Sequence, residues 1–252
     1  MMTTRFVSYI EARRVCSTRM TFLNKPDNAS AHTSTSYDAL IRSTIPYYDF
    51  FHIETVSLVK SIMSSPRLWL DTGCGTGNLV VKTLNEFPDT RFFLADPSRE
   101  MLVVAKSKIR NTERVVFLAP ISTQELRSVV KEKFDVITAI QAHHYLSLDE
   151  RRAATETCCE LINENGVYVT FENVRPSTKR AIDIEKAKWA TYQIANGRSR
   201  KDACGHIDRF DKDYFPITIE DHLQLYRNCG FGVAELFWYS YMQAGFYCLK
   251  AS

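Results

Sequence analysis

The chain has 252 residues, 45% of them hydrophobic, enough to bury one sizeable core and an extension, and no run approaches the about 18 apolar residues of a membrane span. Its seven cysteines show no C-x-x-C spacing, which reads as reduced thiols in an intracellular protein and excludes a disulfide framework or a zinc site. Residues 1–20 carry four of the 32 basic and one of the 29 acidic residues, and the remaining 28 of each leave a neutral body without the basic surface that nucleic acid demands.

Residues 1–20 (Arg5, Arg13, Arg14 and Arg19 among Phe6, Val7, Tyr9, Ile10 and Val15) read equally as an organellar presequence or an over-extended start near Met20. A cytoplasmic location is expected in the second case and a mitochondrial or other organellar one in the first. Residues 24–36, rich in Asn, Asp, Ser, Thr and Pro, predict a disordered linker, so residues 1–36 form a flexible segment and 37–252 the folded domain. Tyr37 to Met63 predicts helix, broken at Pro46.

The run Leu68-Trp69-Leu70-Asp71 leads into Thr72-Gly73-Cys74-Gly75-Thr76-Gly77-Asn78 and then a helix-like stretch with Leu79, Val80, Leu84 and Phe87. Strand, glycine turn and helix in that order begin a nucleotide-binding α/β unit, and alternate glycines let backbone pass close under a ligand. Further strands are predicted near 91–96, 114–118, 134–140 and 166–172. Helices are predicted at 77–87, 98–110, 123–132 and 149–163, the last ended by Gly166 as a left-handed cap. Asp96 ends the second strand about 20 residues after the turn, where an acid binds ribose hydroxyls. A long insertion, 174–217, carries Ile182, Lys186, Trp189 and Gln193 at helical spacing and reads as a lid. Thr218 with Asp221 signals a capped helix to Asn228, and two closing strands (233–239 and 246–250) form a hairpin.

These motifs resemble those of the class I S-adenosylmethionine (SAM) methyltransferases. The first is acid-x-Gly-x-Gly-x-Gly at Asp71, Gly73, Gly75 and Gly77. The others are Asp96-Pro97 with Met101, Ile121-Ser122-Thr123-Gln124-Glu125-Leu126, and Gln141-Ala142-His143-His144-Tyr145-Leu146. A dinucleotide fingerprint would want glycine at Asn78, and an acid at 71 repels a pyrophosphate while suiting a sulfonium cation. The resemblance implies a Rossmann-like α/β fold with a seven-stranded sheet ordered 3-2-1-4-5-7-6, an N-terminal helical cap over 37–63, and SAM as cofactor. It places Asp71, Gly73, Cys74, Gly75, Gly77, Asp96, Pro97, Met101, Ser122, Thr123, Gln124, Gln141 and Tyr48 around that cofactor. Ser122 stands where the family usually has Asp, which opens the adenine contact to Ser122, Thr123 or backbone. No metal is expected.

Tyr37 and Arg42 of the cap, Glu172 at the end of strand five, Arg209 of the lid, and Tyr239 and Tyr241 of the hairpin are the candidate acceptor contacts. His143 is the candidate general base, needed where the acceptor must lose a proton. The segment from Tyr37 through Pro46-Tyr47-Tyr48 and the ending from Cys229-Gly230-Phe231 to Leu249-Lys250 also resemble carboxy-SAM synthase, whose lid arginine holds a carboxylate. The expected function is methyl transfer to a small molecule by a monomer or homodimer. The alternatives are carboxy-SAM synthesis and SAM binding without catalysis.

Overall fold

A computed structural model describes residues 27–110 and 113–250; the residues 1–20 discussed above lie outside them. The chain forms α1 (Tyr37–Thr44), α2 (Tyr48–Ile62), β1 (Leu68–Thr72), α3 (Asn78–Thr83), β2 (Arg91–Ala95), α4 (Arg99–Lys108), β3 (Val115–Phe117) and β4 (Phe134–Ile140), then α5 (Leu148–Leu161) and β5 (Ile162–Asn173). The lid contributes α6 (Lys179–Ala195) and α7 (Arg200–Ile207), and α8 (Ile219–Asn228), β6 (Phe231–Ser240) and β7 (Gln243–Lys250) complete it. The seven strands form one sheet in the order β3-β2-β1-β4-β5-β7-β6, as the resemblance implies. β7 alone runs antiparallel to its neighbours β5 and β6.

Side chains alternate across the strands, so each face of the sheet feeds its own core. Trp69, Phe92, Val169 and Phe171 pack on one face with Phe51 of α2 and Trp189 of α6. Leu70, Phe93, Phe134, Tyr168 and Phe246 pack on the other with Cys158 of α5 and Tyr226 of α8. The strand order reverses between β1 and β4, and ligand crevices in such sheets open at the carboxyl ends of the strands there.

Three elements differ from the sequence expectation. The stretch after β3 is a 3-10 turn, Thr123–Ser128, held by a capping box between Ser122 and Glu125. α5 stops at Leu161 and β5 begins at once, so Gly166 lies inside a strand and not at a left-handed cap. A Cβ there would come within 2.9 Å of the Phe134 carbonyl oxygen and 3.0 Å of the Asp135 one; glycine is needed for close strand approach. The expected linker is, over its described part 27–36, a hydrogen-bonded strap. Asp27 accepts from Ser34 N and Oγ at 2.9 and 2.7 Å, and Ser98 Oγ donates to the Asp27 carbonyl. The expected box at the start of α8 is present, Thr218 and Asp221 each bonding the other's backbone N–H.

Candidate active site

A cavity of about 340 Å³ lies over the carboxyl ends of β1, β2 and β4. Its floor is the turn after β1, where Gly73 and Gly75 adopt φ of 62° and 53°, a region L-residues avoid. A Cβ on Gly73 would meet that of Ala142 at 2.4 Å, whereas one on Gly75 would meet nothing within 4 Å. The room a side chain at 75 would take is therefore the cavity itself. Gly77 caps α3 at φ 74° and packs toward Ala105 and Ile109, away from the cavity.

Two carboxylates border this floor. Asp96 Oδ2 accepts from Gly75 N and Oδ1 from Ser98 N, each at 2.8 Å. The outer lone pairs remain open to the cavity that Asp96, Pro97 and Met101 line. Asp71 is oriented by a chain in which Trp69 Nε1 donates to Thr138 Oγ1 (3.0 Å) and Thr138 donates to Asp71 Oδ1 (2.7 Å). Burial pushes the Asp71 pKa up to about 7, with Thr138 opposing and the Asp96 charge adding.

Cap and strap close the other walls. Tyr37, Tyr48 and His52 line the cavity from α1 and α2, Asp27 to Ser30 from the strap, and Gln141 and Tyr145 from the segment after β4. Asp38 latches the cap to the glycine turn: it accepts from Thr76 Oγ1 (2.6 Å), Asn78 Nδ2 (2.9 Å) and Lys108 Nζ (2.7 Å). Gln141 holds a left-handed φ of 58°, a conformation that costs a non-glycine residue about 1–3 kcal/mol. Cys74 also lines the cavity, with its thiol pKa pushed up by burial and the two acids.

Several expected contacts are placed elsewhere. Ser122, Thr123 and Gln124 do not line the cavity: Ser122 Oγ turns to Glu125 in the capping box, and buried Thr123 Oγ1 shares hydrogen bonds with Thr72 Oγ1 (2.7 Å) and His143 Nε2 (3.1 Å). His143 is thereby engaged at both nitrogens, Nδ1 meeting Tyr168 Oη at 3.2 Å, and burial lowers its pKa to about 4. Arg42 is bound at 2.7 and 3.0 Å by Asp49 and exposed. Arg209 is shared between Asp213 (2.8 Å) and the Ala29 carbonyl (2.7 Å). Tyr239 is half exposed on the edge strand, and Tyr241 packs on Tyr47 and Tyr192 at the hairpin tip.

Glu172 is fully buried, accepting from the backbone N–H groups of His143 and His144, from Thr170 Oγ1, and from His144 Nδ1 at 2.8 Å. Burial works to raise its pKa, but the His144 bond and nearby imidazoles outweigh it and hold the group ionised. A carboxylate only accepts, so the His144 proton is on Nδ1. Its Nε2 is then a bare lone pair, buried and without a partner among the described residues.

The residues that sequence patterns missed are His52, Tyr145 and the strap. Polar strap composition concealed the last, and a histidine on an apolar helix face carries no distinguishing spacing.

A family model described as a methyltransferase domain matches residues 70–168, which span β1 to β5. The chain is 26% identical over 205 residues to carboxy-S-adenosyl-L-methionine synthase of Campylobacter concisus, covering 79% of this chain and 84% of that one. It is 30% identical over 171 residues to an uncharacterized methyltransferase of Bacillus thuringiensis, covering 66% and 75%. Among solved structures, an O-methyltransferase family protein of Burkholderia thailandensis superposes with a TM-score of 0.60 at 15% identity, over 88% of this chain and 61% of that one. The present chain thus spans under two thirds of that structure's length.

Proposed function

The chain belongs to the class I SAM-dependent methyltransferases, and from that premise we propose that it methylates a small-molecule acceptor within the cleft described above. The observation that carries this reading is the lining of the cavity. Glycine turn, two acids, cap rings and strap border about 340 Å³, the scale of a small-molecule site.

The residues present fit SAM. The open space over Gly75 receives it, Asp96 offers its free lone pairs to vicinal hydroxyls, and Asp71 supplies negative charge where a cationic ligand is favoured. Pro97, Met101, Gln141 and Tyr48 complete the contacts. When bound, SAM supplies an electrophilic methyl group on a positive sulfur. The chain's own task is then to align the acceptor and exclude water, and positioning supplies most of the rate in such displacements. The cap rings Tyr37 and Tyr48 and the ring of Tyr145 exclude water.

Carboxy-SAM synthesis is the second reading, favoured by the similarity that extends over 79% of the chain. It ranks below methyl transfer because a new carboxylate wants a free cation, and lid Arg209 is already shared between Asp213 and Ala29. Calorimetry of SAM binding to wild type and Asp96→Ala, with mass spectrometry of the ligand retained on purification, tests both. Micromolar binding lost in the variant, with SAM or its demethylated product retained, is expected. Retained carboxy-SAM would favour the second reading, and no binding by wild type would overturn both.

A further inference from the structure

A second, smaller space of about 20 Å³ adjoins the cleft, and Ser30, Tyr37, Gln141 and Tyr145 line both. It lies between strap, α1 and lid, where His32 and His206 complete its polar wall. Its volume suits one small polar group, since a water needs about 10–15 Å³. No acid lines this annex, whereas Asp27, Asp71 and Asp96 line the larger space.

Both imidazoles are nearly buried, 5% and 7% exposed. Burial, and after it the charges of Arg198 and Arg209, lowers both pKa values, to about 4 at His32, where Asp202 opposes. Each ring is therefore neutral at neutral pH, with one N–H and one lone pair, and its neighbours decide which nitrogen carries which. The Thr44 hydroxyl donates to the Leu40 carbonyl at 3.0 Å and accepts from Arg198 Nη1 at 2.6 Å. Its remaining lone pair accepts from His32 Nε2 at 2.8 Å, which leaves His32 Nδ1 bare. At His206 the order is reversed. Gln193 Nε2, which only donates, meets Nδ1 at 3.0 Å, so the proton is on Nε2. His32 Nδ1 and His206 Nε2 have no partner among the described residues. Unlike the sealed His52 Nδ1 and His144 Nε2, both keep accessible surface.

One acceptor and one donor thus border a space that a single group fills. A carboxylate, which only accepts, would face the bare Nδ1 lone pair. An ammonium, which only donates, would face the His206 N–H with two guanidiniums nearby. A hydroxyl does both. Resting on the reading of the cleft as a small-molecule methyltransferase site, we propose that the annex seats a hydroxyl group of the acceptor, which donates to His32 Nδ1 and accepts from His206 Nε2. The two histidines, one from the strap and one from the lid, are then specificity residues that select uncharged hydroxylated acceptors over carboxylates and ammonium ions.

The test takes the full chain saturated with S-adenosylhomocysteine and titrates it, by NMR, with phenol, benzoate, benzylammonium and toluene. Phenol should bind about tenfold more tightly than the other three. His32→Phe and His206→Phe should each remove most of that preference while S-adenosylhomocysteine affinity stays within about twofold, and His206→Gln, which keeps a donor, should restore it. Ring nitrogen shifts of the wild type should place the proton on Nε2 of both histidines at neutral pH. Any other probe binding as tightly as phenol, phenol binding unchanged in both Phe variants, no probe bound, or a proton on His206 Nδ1 would each overturn the proposal. Where a variant loses S-adenosylhomocysteine, the wild-type selectivity and ring protonation still decide. A wild type that does not bind S-adenosylhomocysteine would instead overturn the cofactor assignment on which the proposal rests.

Discussion

Asp71 and Asp96 border one cavity, and burial raises the pKa of both; they differ in the donors that oppose it. Asp96 is held by two backbone N–H groups, whereas Asp71 has the Thr138 hydroxyl, and burial dominates its titration. Its folded pKa of about 7 exceeds the unfolded value of about 3.9. The stability it contributes is therefore full below the unfolded value and lost as pH rises through about 7. Asn mimics the protonated form, so Asp71→Asn should raise the Tm of the free protein at pH 8 and leave it nearly unchanged at pH 4. SAM affinity should move oppositely. A cation favours the ionised carboxylate, so wild-type binding should tighten between pH 6 and 8, and the Asn variant should bind about tenfold more weakly at pH 8 with a flat profile. Calorimetry at four pH values decides it; a wild-type profile as flat as the variant's would show that Asp71 does not titrate against the ligand.

At the scale of elements, the glycine turn, the alternation in β1 and β2 and the Thr218–Asp221 box were readable because their causes are local. A turn needing positive φ, a pleat of period two and a capping pair all leave marks a few residues apart. Gly166 was misread for the complementary reason: a glycine after a helix signals a cap, and what demands it here is the approach of a strand starting 32 residues earlier in the chain, at Phe134. Gly166→Ala should cost about 1–3 kcal/mol, since the atoms its Cβ would meet include two backbone carbonyls that cannot rotate away. The residue precedes the Val167–Asn173 run that leads to the cleft, so SAM affinity should hold. Chemical denaturation with parallel calorimetry measures both. Undiminished stability would mean that β5 shifts its register freely at Ile162.

For the molecule as a whole, the site is assembled from parts far apart in sequence, and that is why its walls were less legible than its floor. Trp189 Nε1 of the lid donates to the Thr44 carbonyl of the cap at 2.7 Å, and Arg198 Nη1 donates to Thr44 Oγ1 at 2.6 Å. Arg209, expected to hold substrate, instead joins lid to strap through the Ala29 carbonyl. Nothing in the pattern of residues 27–36 announces these partners, and a polar segment reads as disordered until its donors and acceptors are matched by other elements. Lid, strap and cap are thereby tied together, Arg209 through the carbonyl of Ala29, a residue that lines the cavity. Its bond is charge-assisted and partly shielded, with the side chain 18% exposed, so it outweighs an ordinary surface contact. A bond that ties wall to wall must break before a held ligand escapes, which places its effect on release more than on capture. Arg209→Ala should therefore speed S-adenosylhomocysteine release about tenfold and change association less than twofold, with Tm within about 2 °C of wild type. Arg209→Lys, keeping the charge without the two-sided reach, should fall between. Stopped-flow displacement reads both rates. If release is unchanged in the Ala variant, the strap is held by Asp27 and Ser98 without the lid, and the three walls close independently.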